Sequence, residues 1–259
     1  MPRVDRVIFT LTANPLYVPY WNLISRVWHT KFGVTPTLIF NGDQIELDSC
    51  GLSIAHGEIV RLDNIPEVTL NRQRDWSCTW SLFYGASLFP NEVCMLSGID
   101  QMPLGGMFFD AVRGLPDNAY AVGFGDAYGG TYYPSSHHVA KGSRYKEIFA
   151  IDADWKTEVV KVFATRPQWP SIDPADAWGL DEVYSSALLQ KYGDFTPLPI
   201  FWNTWQPTRL VRESAITNEV LAEITGNRKS EWHMPRPFSR VNPDTLAKIE
   251  TAIPTYTWM

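Results

Sequence analysis

Three short stretches carry side chains able to do chemistry. In CMLSGIDQMPLGG (residues 94–106) an apolar run, Cys94–Leu96, gives way to a lone carboxylate, Asp100, with Pro103 and paired glycines behind it. A charge at the end of a buried strand is costly unless it is solvated, paired with a cation or bound to a metal ion, and the spacing leaves all three open. WGLDEVY sets two acids side by side, Asp181 and Glu182. At a helix start such a pair complements the positive end of the helix dipole, whereas in a desolvated cleft it supplies a general base. EWHMPRPF carries His233, either a structural histidine or a ligating one. His137 and His138 also invite a metal site, but adjacent residues of an extended segment point to opposite faces, so at most one faces a given site.

The elements that must position these groups alternate. RVIFTLTA (residues 6–13) is β-rich and reads as a buried strand closed by Asn-Pro. Trp21, Ile24, Val27 and Trp28 then recur at helical spacing up to Gly33, and TPTLIFNGD is a second strand. This β-α-β order implies a parallel sheet with a right-handed crossover. GEIVRLDNI reads as a third strand, NRQRDWSCTWSLFYGASLFP as a helix with Trp76, Trp80, Phe83 and Tyr84 on one face, and NEVCMLSGID as a fourth strand with Asp100 at its carboxyl end. Ligands of such sheets sit at the carboxyl ends of the strands.

Downstream, MFFDAVRGLP reads as a short helix, AYAVGFGDAYGGTYYP as a strand and loop, and SRYKEIFAI and DADWKTEVVKVFATRPQWP as helices. DPADAWGLDEVYSSALLQKYG is a helix with an acidic entry, TPLPIFWNTW a strand, NRKSEWHMPRPFSRVNP irregular, and DTLAKIETAI a last helix. No repeat or linker divides the chain, which reads as one α/β domain over residues 1–259 with halves at 1–105 and 106–259.

Bulk properties narrow the class. The 259 residues are 45% hydrophobic and 19% charged, an ordinary globular composition. The 11 Trp, 11 Tyr and 13 Phe build either a large core or a stacking cleft for a flat ligand. A net charge of −6 argues against coating nucleic acid. Cys50, Cys78 and Cys94 lack metal spacing and read as thiols of a reducing compartment. The amino-terminal run suits neither a signal peptide nor a bilayer span, so the expected location is cytoplasmic.

The order of these landmarks resembles the GT-A class of nucleotide-sugar glycosyltransferases. LSGIDQMPLGG stands where that class ends its fourth strand in Asp-x-Asp, SHHVAKGSRYKEIF resembles the segment that follows on the acceptor side, and WGLDEVYSSALL and HMPRP match the later landmarks. The resemblance implies a GT-A-like αβα sandwich with a mostly parallel, Rossmann-like central sheet, residues 1–105 holding nucleotide and 106–259 the acceptor. It implies a metal-assisted transfer of sugar from a nucleotide-diphosphate sugar to an acceptor hydroxyl on a glycan, lipid-linked or other acceptor.

In that reading Asp100 and His233 hold Mn²⁺ or Mg²⁺ against the diphosphate, and Asp181, then Glu182, is the base. Thr10, Thr12, Asn14, Tyr17 (or Tyr20) and Asp43 contact the nucleotide, Arg74 the diphosphate, and His138 and Trp178 the acceptor. One departure matters: the first motif position is Gly98. Hard divalent cations tolerate few protein oxygens when phosphates and waters supply the rest, so a weakened site is expected. The same departure keeps open a binding protein on this fold that has lost catalysis. A nucleotidyltransferase ranks behind both, because TANPLYVP lacks the basic, glycine-rich phosphate loop such an enzyme needs.

Overall fold

The computed structural model describes residues 3–65, 71–125, 127–130, 132–165, 180–198 and 208–258, with backbone only at 71–76, 129, 163, 165 and 180. The first strand, β1 (Arg6–Leu11), is buried at every position but one. Helix α1 (Trp21–Phe32) buries Trp21, Leu23, Ile24, Val27, Trp28 and Phe32 and stops at Gly33, whose φ of 61° places it in the left-handed region open to glycine. There follow β2 (Thr35–Asn41), the short helix α2 (Gln44–Ser49), β3 (Glu58–Leu62), α3 (Asn71–Ser87) and β4 (Val93–Leu96). Helix α2 went unread because its six residues bury nothing and rest on a capping box, Asp43 with Glu46.

Beyond β4 the chain runs through β5 (Gln101–Pro103), α4 (Met107–Arg113), β6 (Ala121–Val122), β7 (His138–Lys141), α5 (Gly142–Phe149) and α6 (Trp155–Thr165). After α7 (Leu180–Tyr192) come β8 (Thr196–Pro197), β9 (Arg209–Leu210), α8 (Asn218–Thr225), β10 (Glu231–His233) and α9 (Pro243–Ala252). The main sheet has seven strands in the order β3-β2-β1-β4-β7-β6-β8. β3, β2, β1 and β4 run parallel, and β7 is antiparallel to both of its neighbours. Parallel pairing brings the ends of β1, β2 and β4 to one edge, where residues 12–17, 41–43 and 97–101 emerge.

Period-two alternation splits the core into two layers. Val7, Phe9, Leu38, Phe40, Val93 and Met95 face α1 and α4, while Ile8, Ile39, Cys94 and Leu96 face α3 and α5. Both layers draw residues from either side of position 105. The aromatic richness is mostly core: Trp21, Trp28 and Trp80 are almost fully buried, and Phe9 meets the rings of Trp21 and Trp28 edge-on.

A second, three-stranded sheet, β5-β10-β9, was not foreseen. The tail read as irregular contains β10, which pairs antiparallel with β5 (His233 opposite Gln101) and parallel with β9. A three-residue strand shows no readable alternation, and its partner lies some 130 positions upstream. This small sheet positions the site: β4 ends at Leu96, Asp100 lies in the turn that follows, and β10 carries His233 up to it. Of the expected strand TPLPIFWNTW, only residues 196–198 are described, and Thr196–Pro197 form a strand.

Candidate functional site

Asp100 lies just past the end of β4, and its carboxylate is only 7% exposed. The backbone around it is set by Gln101, whose side chain folds back to accept from the Gly98 N–H at 2.7 Å. Three cationic or polar groups converge on Asp100 Oδ2: Arg236 Nε at 2.5 Å, His233 Nε2 at 3.1 Å and Arg212 Nη2 at 3.2 Å. Burial alone would raise the Asp100 pKa, but His233 and Arg236 override it and hold the carboxyl well below its ordinary range. Arg209 Nη2 lies 2.9 Å from His233 Nδ1. Arg212 and Arg236 lie against the same Nε2 edge. Of the meanings left open for a lone strand-end acid, the structure shows ion pairing.

The cluster is wider than one carboxylate. Glu231, on β10, is buried between Arg209 (2.5 Å) and His137 (2.9 Å). Burial would raise its pKa too, but His137 and Arg209 lower it instead. Arg236 also donates to the Tyr17 hydroxyl at 2.7 Å, with its guanidinium 5.0 Å from that ring. The loop after β1 is thereby tied to the loop after β10.

The acid pair sits at the start of α7. Asp181 is 4% exposed and accepts from Ser135, with a further hydrogen bond from Thr79. Glu182 is only half-buried. Burial raises both carboxyls, and the neighbouring Asp181 charge adds to the rise at Glu182, which is pushed up to about 8. Ser135 and Ser136 join this pair to the arginine cluster: Gln101 Nε2 donates to Ser136 Oγ at 3.3 Å while Ser135 holds Asp181. Beside Glu182 stands an exposed aromatic stack, Tyr128 on Tyr132, with centroids 4.0 Å apart and planes at 14°.

The other expected contacts disperse. Thr10 is engaged inside the protein, donating to the Cys78 carbonyl at 2.6 Å and accepting from Asn41 at 3.1 Å. Thr12 is buried at the exit of β1. Asn14 turns the chain, its side chain accepting from the Leu16 N–H at 3.0 Å. Tyr20 is fully buried with its hydroxyl on the Pro235 carbonyl, whereas Tyr17 is half-buried. Asp43 caps α2.

His138 is fully buried, accepting from Tyr120 at 2.7 Å through Nδ1 and donating to the Pro134 carbonyl at 2.8 Å through Nε2. Trp178 and the side chain of Arg74 lie outside the described residues. Sequence reading gave no role to Arg209, Arg212, Arg236, Ser135 or Glu231. Their only early signal is the density of arginines after residue 208.

How well the expected divalent ion fits at Asp100 and His233 turns on the charges around them. Among the described residues no group of three or more His, Cys, Asp or Glu side chains gathers in metal-binding fashion. At 4 Å and an effective dielectric of about 20, a unit charge pair is worth about 4 kcal/mol, so a dication gains about 8 kcal/mol from a carboxylate and loses as much to each guanidinium at that distance. One carboxylate against two guanidiniums leaves repulsion ahead. These residues, before any phosphate is bound, suit an anion rather than a bare dication.

No family model matches the chain, and no curated protein matches its sequence. Solved structures do resemble it. The galactosyltransferase LgtC, in complex with donor and acceptor sugar analogs, superposes with a TM-score of 0.53 at 11% identity, covering 97% of each chain. The glycosyltransferase GlyE of Streptococcus pneumoniae TIGR4 gives 0.51 at 11% identity over 99% of this chain. The chain spans 61% of that GlyE structure and 45% of the chain of its apo form. Together with the seven-stranded, largely parallel sheet and its flanking helices, the whole-length match to LgtC establishes that this chain has the fold of the GT-A-type glycosyltransferases.

Proposed function

We propose that the protein transfers a sugar from a nucleotide-diphosphate sugar to an acceptor hydroxyl. The observation that carries this reading is the union, at the carboxyl edge of the parallel strands, of a net-cationic cluster with a half-buried carboxyl whose pKa is raised toward neutrality, joined through Ser135–Ser136. The donor's diphosphate suits the arginines, whose planar donors match phosphate oxygens. Tyr17, beside Arg236, suits the nucleoside. The exposed Tyr128–Tyr132 stack offers a sugar its apolar face.

Burial turns round the order of the two acids. Asp181 is enclosed and held by Ser135, whereas Glu182 reaches the surface next to Tyr128. Glu182 is therefore the base, and Asp181 positions it and raises its pKa. The acceptor oxygen forms the new bond to the sugar and its proton goes to Glu182. The bond from the sugar to the diphosphate oxygen breaks, and its electron pair stays on that oxygen. No step passes through a metal ion. The setting is cytoplasmic, a reading supported by Cys50, Cys78 and Cys94 forming no disulfide.

Gly98 supports a second reading, a nucleotide-sugar-binding protein without catalysis. A Cβ there would lie 2.9 Å from both Cδ and Oε1 of Gln101, so the space of a first motif acid is taken. One assay separates the two. The protein is incubated with UDP-, GDP- and CDP-sugars and candidate acceptors, and released nucleoside diphosphate is measured. Release that falls by about 10²–10⁴ in Glu182→Gln supports transfer. Binding with no release in the wild type supports the second reading, and neither binding nor release removes both.

A further inference from the structure

We infer that Arg212, Arg236 and His233, gathered on Asp100, bind and neutralise the donor's diphosphate with no metal ion. The inference rests on the sugar-transfer reading above and goes beyond it, since transfer by itself is silent on where the balancing charge comes from. Three features of the cluster support it.

The first is charge. Arg209 is matched by Glu231, so among the described residues Asp100 alone is ion-paired with the guanidiniums of Arg212 and Arg236, which leaves one positive charge over for a ligand. The second is access. Asp100 is enclosed at 7% exposure, while the side chains of Arg212 and Arg236 are 31% and 26% exposed, so the acid lies beneath and the cations face outward. The third is donor capacity. A guanidinium carries five N–H groups, more than the Asp100 and His233 contacts of Arg212 and Arg236 use. Asp100 thus acts as an orienting counter-charge that fixes the two forks in place, and preorganised donors cost nothing to arrange when an anion arrives. Gln101, folded onto Gly98, occupies the room in which a second carboxylate would have to stand to restore an anionic cage.

The test is a thermal-shift titration of the full chain with UDP, GDP and CDP, run in parallel in EDTA and in Mn²⁺. A ligand that binds only the folded state raises the melting temperature with concentration. The expected result is that one nucleoside diphosphate shifts the protein equally in both buffers. Arg212→Gln and Arg236→Gln should each weaken that binding about tenfold or more, as loss of a hydrogen bond from a charged group predicts. A shift seen only with Mn²⁺ overturns the inference and leaves sugar transfer standing. No shift with any of the three in either buffer overturns the transfer reading itself. Should a glutamine variant show no ligand-free melting transition, Arg212→Lys and Arg236→Lys replace it. They keep the charge but lose the fork, and wild-type affinity in both would also overturn the inference.

Discussion

Asp181, buried, and Glu182, half-buried, stand side by side at the start of α7 and do not ionise independently. Because Glu182 is raised by burial and by its neighbour's charge, a base at this position works only as pH climbs toward about 8. The rate of transfer should therefore rise with pH through that region. Asp181→Asn removes the neighbouring charge, makes the Glu182 carboxylate easier to form and moves the rise to lower pH. A pH–rate profile that stays in place or moves upward in the variant contradicts the assignment. His138 gives a stability prediction of opposite type. Burial, reinforced by the nearby His137, holds its folded pKa at about 4 against an ordinary 6.5. The neutral form is the folded form, so this stabilisation is complete above pH 6.5 and drains away as pH falls toward 4. The loss amounts to about 3 kcal/mol across that window. Denaturant melts at neutral and acid pH should show it, and His138→Gln should show a much smaller difference between the two.

At the scale of elements, close approach between layers decides which small residues matter. A Cβ on Gly142, the first residue of α5, would lie 2.3 Å from the Phe89 carbonyl oxygen and 2.5 Å from that of Ala86, both backbone. One on Gly85, in α3, would lie 2.4 Å from Ile39 Cγ1, a side chain with some freedom to turn. Gly114, just past α4, has nothing within 4 Å. Overpacking costs about 1–3 kcal/mol, and backbone yields less readily than a methylene. Gly142→Ala should therefore destabilise more than Gly85→Ala, and Gly114→Ala should stay within about 0.5 kcal/mol of the wild type. Urea midpoints rank the three directly, and a harmless Gly142→Ala would mean that α5 is not pinned to the end of α3 as described.

At the scale of the whole molecule, a surface with a net charge of −6 surrounds a site built of cations. Such a protein repels polyanions at long range and accepts a small anion only where arginines gather. The residues after α9 close the layer formed by α1 and α4. Tyr256 donates its backbone N–H to Lys31 at 2.7 Å, and Trp258 donates to the Phe32 carbonyl at 2.6 Å with its ring 5.0 Å from that of Phe109. They cover α1 and α4, far along the chain from either. Trp258→Ala should lower stability by about 2 kcal/mol, below the 3–5 of a fully enclosed tryptophan because the ring is partly exposed. It should leave nucleotide binding unchanged, since the arginine cluster draws nothing from it. Denaturation and a nucleotide titration on the same sample test both halves.

Local physics made much of this protein legible from its residues alone. Buried runs such as RVIFTL, the helical spacing of Trp21 to Trp28 and the stop at Gly33 each state their own structure, because a strand's or helix's partner layer asks only for apolar side chains at the right period. The alternation of such runs then fixes a parallel sheet, and with it the edge where Asp100, His233 and the acid pair are to be sought. What no stretch states is which charge faces which. Asp100 looks the same in sequence whether it meets a metal ion or Arg236 from 136 positions away, and β10 is too short to announce that it carries His233 to that carboxylate. His138 is equally mute about whether it faces a ligand or the hydroxyl of Tyr120. Pairing across more than a hundred residues costs chain entropy and is stabilised only by the finished core, so the identity of each partner is a property of the tertiary structure alone.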